Sequence, residues 1–102
     1  MKKKKLNELQ PEQLLSLAVN IHAGKVKKCS IVFKDGKFFG NYELNEQPYA
    51  SQDDLTQRTY VFNQIKKVLA SYYSGTLQSF LLKKLKAKGN LYQVEYKIVG
   101  EE

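Results

Sequence analysis

Glu95 and Lys97 are the residues whose types and spacing come nearest to a catalytic pair. Residues two apart on a strand lie on the same face, so this carboxylate and this ammonium could meet one metal ion and one phosphate, as in a metal-dependent nuclease. Such a site also needs a carboxylate from a neighbouring strand, and no acidic residue occurs between Asp54 and Glu95. Asp54 is already explained by the start of a helix. We therefore favour a solvent-facing pair of Glu95 with Lys84.

The other reactive side chains give no complete catalytic set. Cys29 and His22 are the only cysteine and the only histidine, and Cys29 falls on the apolar face of a predicted strand, where a buried and inert thiol is expected. The six glycines are distributed along the chain and do not form a phosphate-binding loop. We expect no catalytic residue, no metal site and no cofactor, and hence a protein that is not an enzyme.

Lysine dominates the charge of the chain. Sixteen lysines and Arg58, against ten acidic residues, give a formal net charge of +7. The lysines cluster at the N-terminus, around a first hairpin and before Gly89-Asn90, a distribution typical of a surface that meets a polyanion. Lysine neutralises phosphates without reading bases, whereas arginine, which reads base edges, occurs once. The predicted contacts to a nucleic-acid backbone are Lys28, Lys34, Lys37, Lys83, Lys84, Lys86, Lys88 and Lys97.

Phe39 is the best candidate for stacking on a base. The predicted hairpin register directs it away from the core and beside lysines, whereas Tyr42, Tyr92 and Tyr96 are expected to pack under the helices. A lysine-rich solvated face without a ligand is the competing interpretation.

The first half of the chain predicts a helix and then a hairpin. Residues 1–9 are expected to form a basic flexible tail, and Pro11 suits the first turn of a helix over residues 11–23. Residues 27–44 then alternate between apolar and polar side chains around Asp35-Gly36, the dipeptide that a two-residue type I′ turn prefers. That turn pairs Phe33 with Phe38, Ile31 with Gly40 and Cys29 with Tyr42.

The second half predicts a long helix over residues 53–74 and then an ambiguous segment. Residues 77–88 fit either a helix or a strand, and we favour a strand. A turn at Gly89-Asn90 would pair it with a strand over residues 90–99. In that register Leu85 lies opposite Val94, Leu81 opposite Ile98 and Lys84 opposite Glu95.

These elements predict one α+β domain over residues 10–102 with the order αββαββ. An antiparallel sheet of three to four strands would carry both helices on one face. No apolar run reaches the roughly 18 to 20 residues of a membrane span, and the basic start lacks the apolar stretch of a signal peptide, so a cytoplasmic protein is expected. The face opposite the helices would carry Lys28, Ser30, Val32, Phe39, Asn41, Glu43, Lys84, Lys86, Gln93, Glu95 and Lys97.

Two functions follow from this sequence. The first is a small binding protein that contacts nucleic-acid backbone with little sequence specificity. The alternative is an adaptor or inhibitor, of the kind encoded on mobile elements and phages, whose lysines steer it to an acidic protein surface. An adaptor or a homodimer would expose an apolar patch along the long helix or an edge strand, with Tyr60 and Tyr73 as contacts.

Overall fold

The structure, a computed structural model, describes residues 7–45, 55–85 and 91–100. Along them, two helices pack on one face of a five-stranded antiparallel sheet with the strand order β1-β3-β2-β4-β5. The predicted α+β class and the two helices are confirmed, whereas the predicted strand count is too low. The elements are β1 (Asn7–Leu9), α1 (Pro11–His22), β2 (Val26–Lys34), β3 (Lys37–Leu44), α2 (Leu55–Tyr73), β4 (Leu77–Lys84) and β5 (Tyr92–Ile98).

The first hairpin forms in the predicted register. Asp35 and Gly36 have φ values of 54° and 78°, as a type I′ turn requires, and Asp is one of the few non-glycine residues that tolerate this region. Phe33 then pairs with Phe38, Ile31 with Gly40 and Cys29 with Tyr42.

The strand β1 is absent from the sequence prediction, which assigned residues 1–9 to a flexible tail. Asn7 pairs with Gly40 and Leu9 with Phe38, and Leu9 is buried. A three-residue strand beside a proline-initiated helix leaves too few alternating positions for the pattern to reveal it. Residues 1–6 lie outside the described residues.

The second hairpin exists, but its predicted register is wrong by three residues. Leu81 lies opposite Glu95 instead of Ile98, and Leu82, not Leu85, lies opposite Val94. β4 ends at Lys84 and β5 begins at Tyr92, and the predicted turn at Gly89-Asn90 lies outside the described residues. Side chains alternate between the two faces along a strand. A register shift of three residues therefore moves the other set of β4 side chains to the helix-covered face, while the faces of β5 stay as predicted.

The core fills the space between the two helices and one face of the sheet. Leu14, Leu17 and Ile21 of α1 and Ile65 of α2 are fully buried. Aromatic rings join the layers, since the Phe38 ring lies 5.0 Å from the Tyr72 ring of α2. The opposite face, called here the outer face, therefore carries the side chains that can meet a ligand.

Candidate nucleic-acid interface

An apolar row crosses the middle of the outer face. Phe39, Val32 and Leu81 come from the three central strands and lie side by side, because Val32 pairs with Phe39 on one flank and with Leu81 on the other. All three are half-buried although both helices pack on the opposite face. Glu8 ends the row on β1 and Glu95 ends it on β5.

Lysines lie on both sides of this apolar row, each two residues along its strand and therefore about 7 Å from the row. Toward the hairpin tip, Lys34 lies opposite Lys37, and Lys97 occupies β5 opposite Ser79. On the other side, Lys83 lies between Ser30 of β2 and Gln93 of β5. The apolar row thus has three lysines on its hairpin-tip side, and on the other side Lys83 among the polar residues Asn41, Ser30 and Gln93.

Two of the lysines on this face are paired with carboxylates. Lys28 Nζ lies 3.9 Å from Glu43 Oε2, and Lys37 Nζ lies 3.8 Å from Glu8 Oε1, all four side chains being well exposed. Within the described ranges, no ion pair engages Lys34, Lys83 or Lys97. With five lysines and three glutamates, the described part of the face carries a formal excess of two positive charges.

Lys84 does not lie where the sequence placed it. The changed register puts it opposite Tyr92 on the helix-covered face, where its Nζ donates hydrogen bonds to the carbonyl oxygens of Val26 at 2.8 Å and Lys27 at 3.4 Å. The predicted pairing of Lys84 with Glu95 is therefore wrong. Lys86 and Lys88 lie outside the described residues.

Leu81 is the component of the site that the sequence analysis missed. The predicted turn placed it on the same face as Val94 and Ile98, whereas the register found here places it beside Val32 on the outer face. The sequence signals only that either Leu81 or Leu82 faces outward, because successive residues of a strand point to opposite faces.

Of the candidate catalytic residues, Glu95 and Lys97 share the outer face, whereas Cys29 is buried and His22 contacts α2. Glu95 accepts a hydrogen bond from Gln93 Nε2 at 2.7 Å, and Glu8 lies at the far edge of the sheet, four strand spacings or about 19 Å away.

Burial raises the pKa of the Cys29 thiol to about 12, although the Lys84 backbone N–H and ammonium act against this rise. His22 instead contacts Thr59 Oγ1 at 3.2 Å.

The single arginine serves the fold. Arg58 is buried, and its guanidinium donates a hydrogen bond to the backbone oxygen of His22 at the C-terminal end of α1. A cation at this helix end is favoured by the helix dipole, and the contact ties α2 to α1. The positive charge on the described outer face therefore comes from lysine.

The two tyrosines of the alternative site do not form one patch. Tyr60 and Tyr73 are 55% and 67% exposed, but thirteen residues of helix separate them by about 20 Å along the axis and place them on different sides. Tyr73 packs against Tyr72, whose ring lines an open pocket of about 430 Å³ with Phe33, Leu77 and Val99.

Comparison with known proteins gives no relative for this site. No family model matches the sequence, and no curated protein or solved structure matches the chain. Among the described residues, no helix is long and apolar enough to cross a membrane, and no group of three or more His, Cys, Asp or Glu side chains could hold a metal ion.

Proposed function

We propose that this protein binds single-stranded nucleic acid through the outer face, with little sequence specificity and without catalysis. The observation that carries the proposal is the half-exposed row of Phe39, Val32 and Leu81, with three lysines on its hairpin-tip side and Lys83 on the other. Bases have apolar faces that fit such a row, and lysines beside it neutralise the phosphates that flank each base. The same proposal places the protein in the cytoplasm, where nucleic acid is available.

The shape of the face favours a single strand over a duplex. Bases of a duplex are stacked within the helix and cannot lie against Val32 or Leu81, whereas a single strand exposes them. The absence of arginine from the described outer face favours contact without base-edge recognition.

Removing two lysines of the outer face tests the proposal. The double variant K34Q/K83Q and a matched control on α2, K66Q/K67Q, lose the same charge, but only the first pair lies on the outer face. Binding of a labelled oligothymidylate is measured by fluorescence anisotropy between about 20 and 200 mM salt. Each lost phosphate contact should flatten the log–log salt slope by about 0.7, so the first variant should lose about 1.4 and the control almost nothing.

Two outcomes would contradict the proposal. Equal losses in the two variants would show that net charge and not the outer face attracts the nucleic acid. No binding at about 50 mM salt would exclude a phosphate-contacting face, since screening is still weak there.

The second candidate function is an adaptor for an acidic protein partner. It is favoured by the open pocket beside Tyr72 and by the exposed Tyr73 next to it. A partner that binds there should be released by Tyr73→Ala and not by K34Q/K83Q, which separates this function from the first.

A further inference from the structure

One edge of the sheet is left open by β5. This strand pairs with β4 on one side and, along the described chain, with no strand on the other. Leu85 N donates to Leu91 O at 2.8 Å, which fixes the phase of the β4–β5 ladder. Because backbone groups alternate in direction along an antiparallel strand, the N–H and C=O groups of Val94, Tyr96 and Ile98 point to the open edge.

The side chains of the same three residues are apolar and incompletely covered. Val94, Tyr96 and Ile98 lie on the helix side of β5 and are half-buried, while Val99 beyond them is 60% exposed. A strand of seven residues without proline that presents both free backbone groups and apolar side chains is a template for another strand.

The sequence of β5 is complementary to itself in one antiparallel register. With Tyr96 opposite Tyr96 of a second copy, Val94 lies opposite Ile98 and Glu95 opposite Lys97, so two apolar pairs and two ion pairs form about the dyad. Moving the dyad to Glu95 or to Lys97 would place like charges opposite each other. Neither Glu95 nor Lys97 has an ion pair within the described part of one chain.

We propose that β5 pairs with β5 of a second copy, antiparallel about Tyr96, and joins two sheets into one of ten strands. The backbone groups that point outward from each copy then meet, because even-numbered residues oppose even-numbered residues in this register. The outer faces of the two copies become continuous. The inference does not depend on nucleic-acid binding, since it is argued from the open edge of β5 and is tested by the mass of the protein in solution.

Exchanging the charges tests the register. Sedimentation equilibrium over a range of protein concentrations should show a dimer for the wild type. E95K and K97E should each weaken it about tenfold or more, because attraction becomes repulsion at two symmetric positions. The double variant E95K/K97E should restore it. The control E43K, on β3, carries the same charge change as E95K and should dimerise like the wild type.

Three outcomes would overturn the proposal: a monomeric wild type throughout, single exchanges without effect, or a double exchange that does not restore the dimer. Cross-linking gives a second reading that does not depend on charge. Cα atoms of directly opposed residues are about 4.5–5.5 Å apart, within the range of a disulfide, whereas diagonal neighbours are about 7–8 Å apart.

A mixture of E95C and K97C should therefore form a disulfide-linked heterodimer on mild oxidation. Each variant alone should cross-link much less, because its two introduced thiols are diagonal. Wild-type protein is the control, since its Cys29 is buried. Equal cross-linking in the mixture and in the separate variants would contradict this register.

Discussion

At Phe39 the two interpretations of the outer face make different predictions. A ring that packs beside Val32 only to cover the sheet would matter for stability, whereas a ring that stacks on a base would matter for binding. Its half-exposed position, between Glu8 and Val32 and one step from the lysines, allows both contacts at once.

We expect Phe39→Ala to weaken binding of oligothymidylate by about 1–3 kcal/mol while leaving the salt slope nearly unchanged, because stacking involves no counterion release. Anisotropy titrations at several salt concentrations measure both quantities. Val32→Ala, which trims the neighbouring side chain, should have a smaller effect on binding. A flattened salt slope in the Phe39 variant would show that the ring acts by positioning lysines and not by stacking.

Cys29 should be unreactive in the folded chain. Burial raises the pKa of its thiol to about 12, so the thiol stays protonated at pH 8, and the thiolate is the form that reacts. Labelling by iodoacetamide at pH 8 should be slow in buffer and fast in concentrated urea. Since an unfolded thiol ionises at lower pH, this residue lowers the free energy of unfolding as pH rises above about 9. Rapid labelling of folded protein would mean that β2 is not covered as described.

At the scale of elements, Arg58 connects the two helices. We expect Arg58→Met, which keeps the length of the side chain, to lower the free energy of unfolding by about 1.5–3 kcal/mol, because the hydrogen bond from the guanidinium to the end of α1 is lost. Urea denaturation monitored by circular dichroism measures the change. As a control, Lys67→Met removes a charge from an exposed position of α2 and should cost less than about 0.5 kcal/mol. A similar loss in both variants would assign the effect to net charge.

The two hairpins show how far the sequence specifies this sheet. Asp35-Gly36 fixes the first register, because a two-residue turn leaves no freedom in pairing. Gly89-Asn90 is a similar dipeptide, but a two-residue turn there predicts a register of β4 with β5 that is three residues away from the one that forms. Leu81 and Leu85 could supply the helix-covered face of β4, and so could Phe80 and Leu82. Only packing against α2 and β2 decides which of the two sets does so.

The candidate site was accordingly predicted only in part. Phe39, Val32, Lys28, Lys34 and Lys37 are placed on the outer face by the first hairpin alone. Lys97 is also placed there, because β5 keeps its faces under an odd shift of register. Lys84 and Leu81 lie on the faces opposite to those predicted. The pattern along β4 could not reveal this, because Lys83 and Lys84 are both lysine and Leu81 and Leu82 are both leucine.

At the scale of the whole molecule, the excess of positive charge opposes compaction. The chain carries a formal net charge of +7, and Lys34 lies directly opposite Lys37, a like-charge pair across a hairpin. A bound polyanion would relieve this repulsion at whatever site on the chain it binds. Stabilisation by a polyanion is therefore informative only when the effect of bases is separated from the effect of charge.

We expect an oligothymidylate to raise the melting temperature of the chain more than a polyphosphate with the same number of charges. A ligand at about 100 times its Kd adds about 2.7 kcal/mol, which corresponds to a shift of roughly 10 °C or more for a domain of this size. Polyphosphate meets the lysines but has no bases to lie against Phe39, Val32 and Leu81, so its shift should be smaller.

In Phe39→Ala the two shifts should approach each other, whereas in K66Q/K67Q the difference should persist. Thermal melts at about 20 mM salt measure all six shifts. Equal shifts in the wild type would reduce the outer face to a charged surface, and no shift with either polyanion would favour the acidic protein partner.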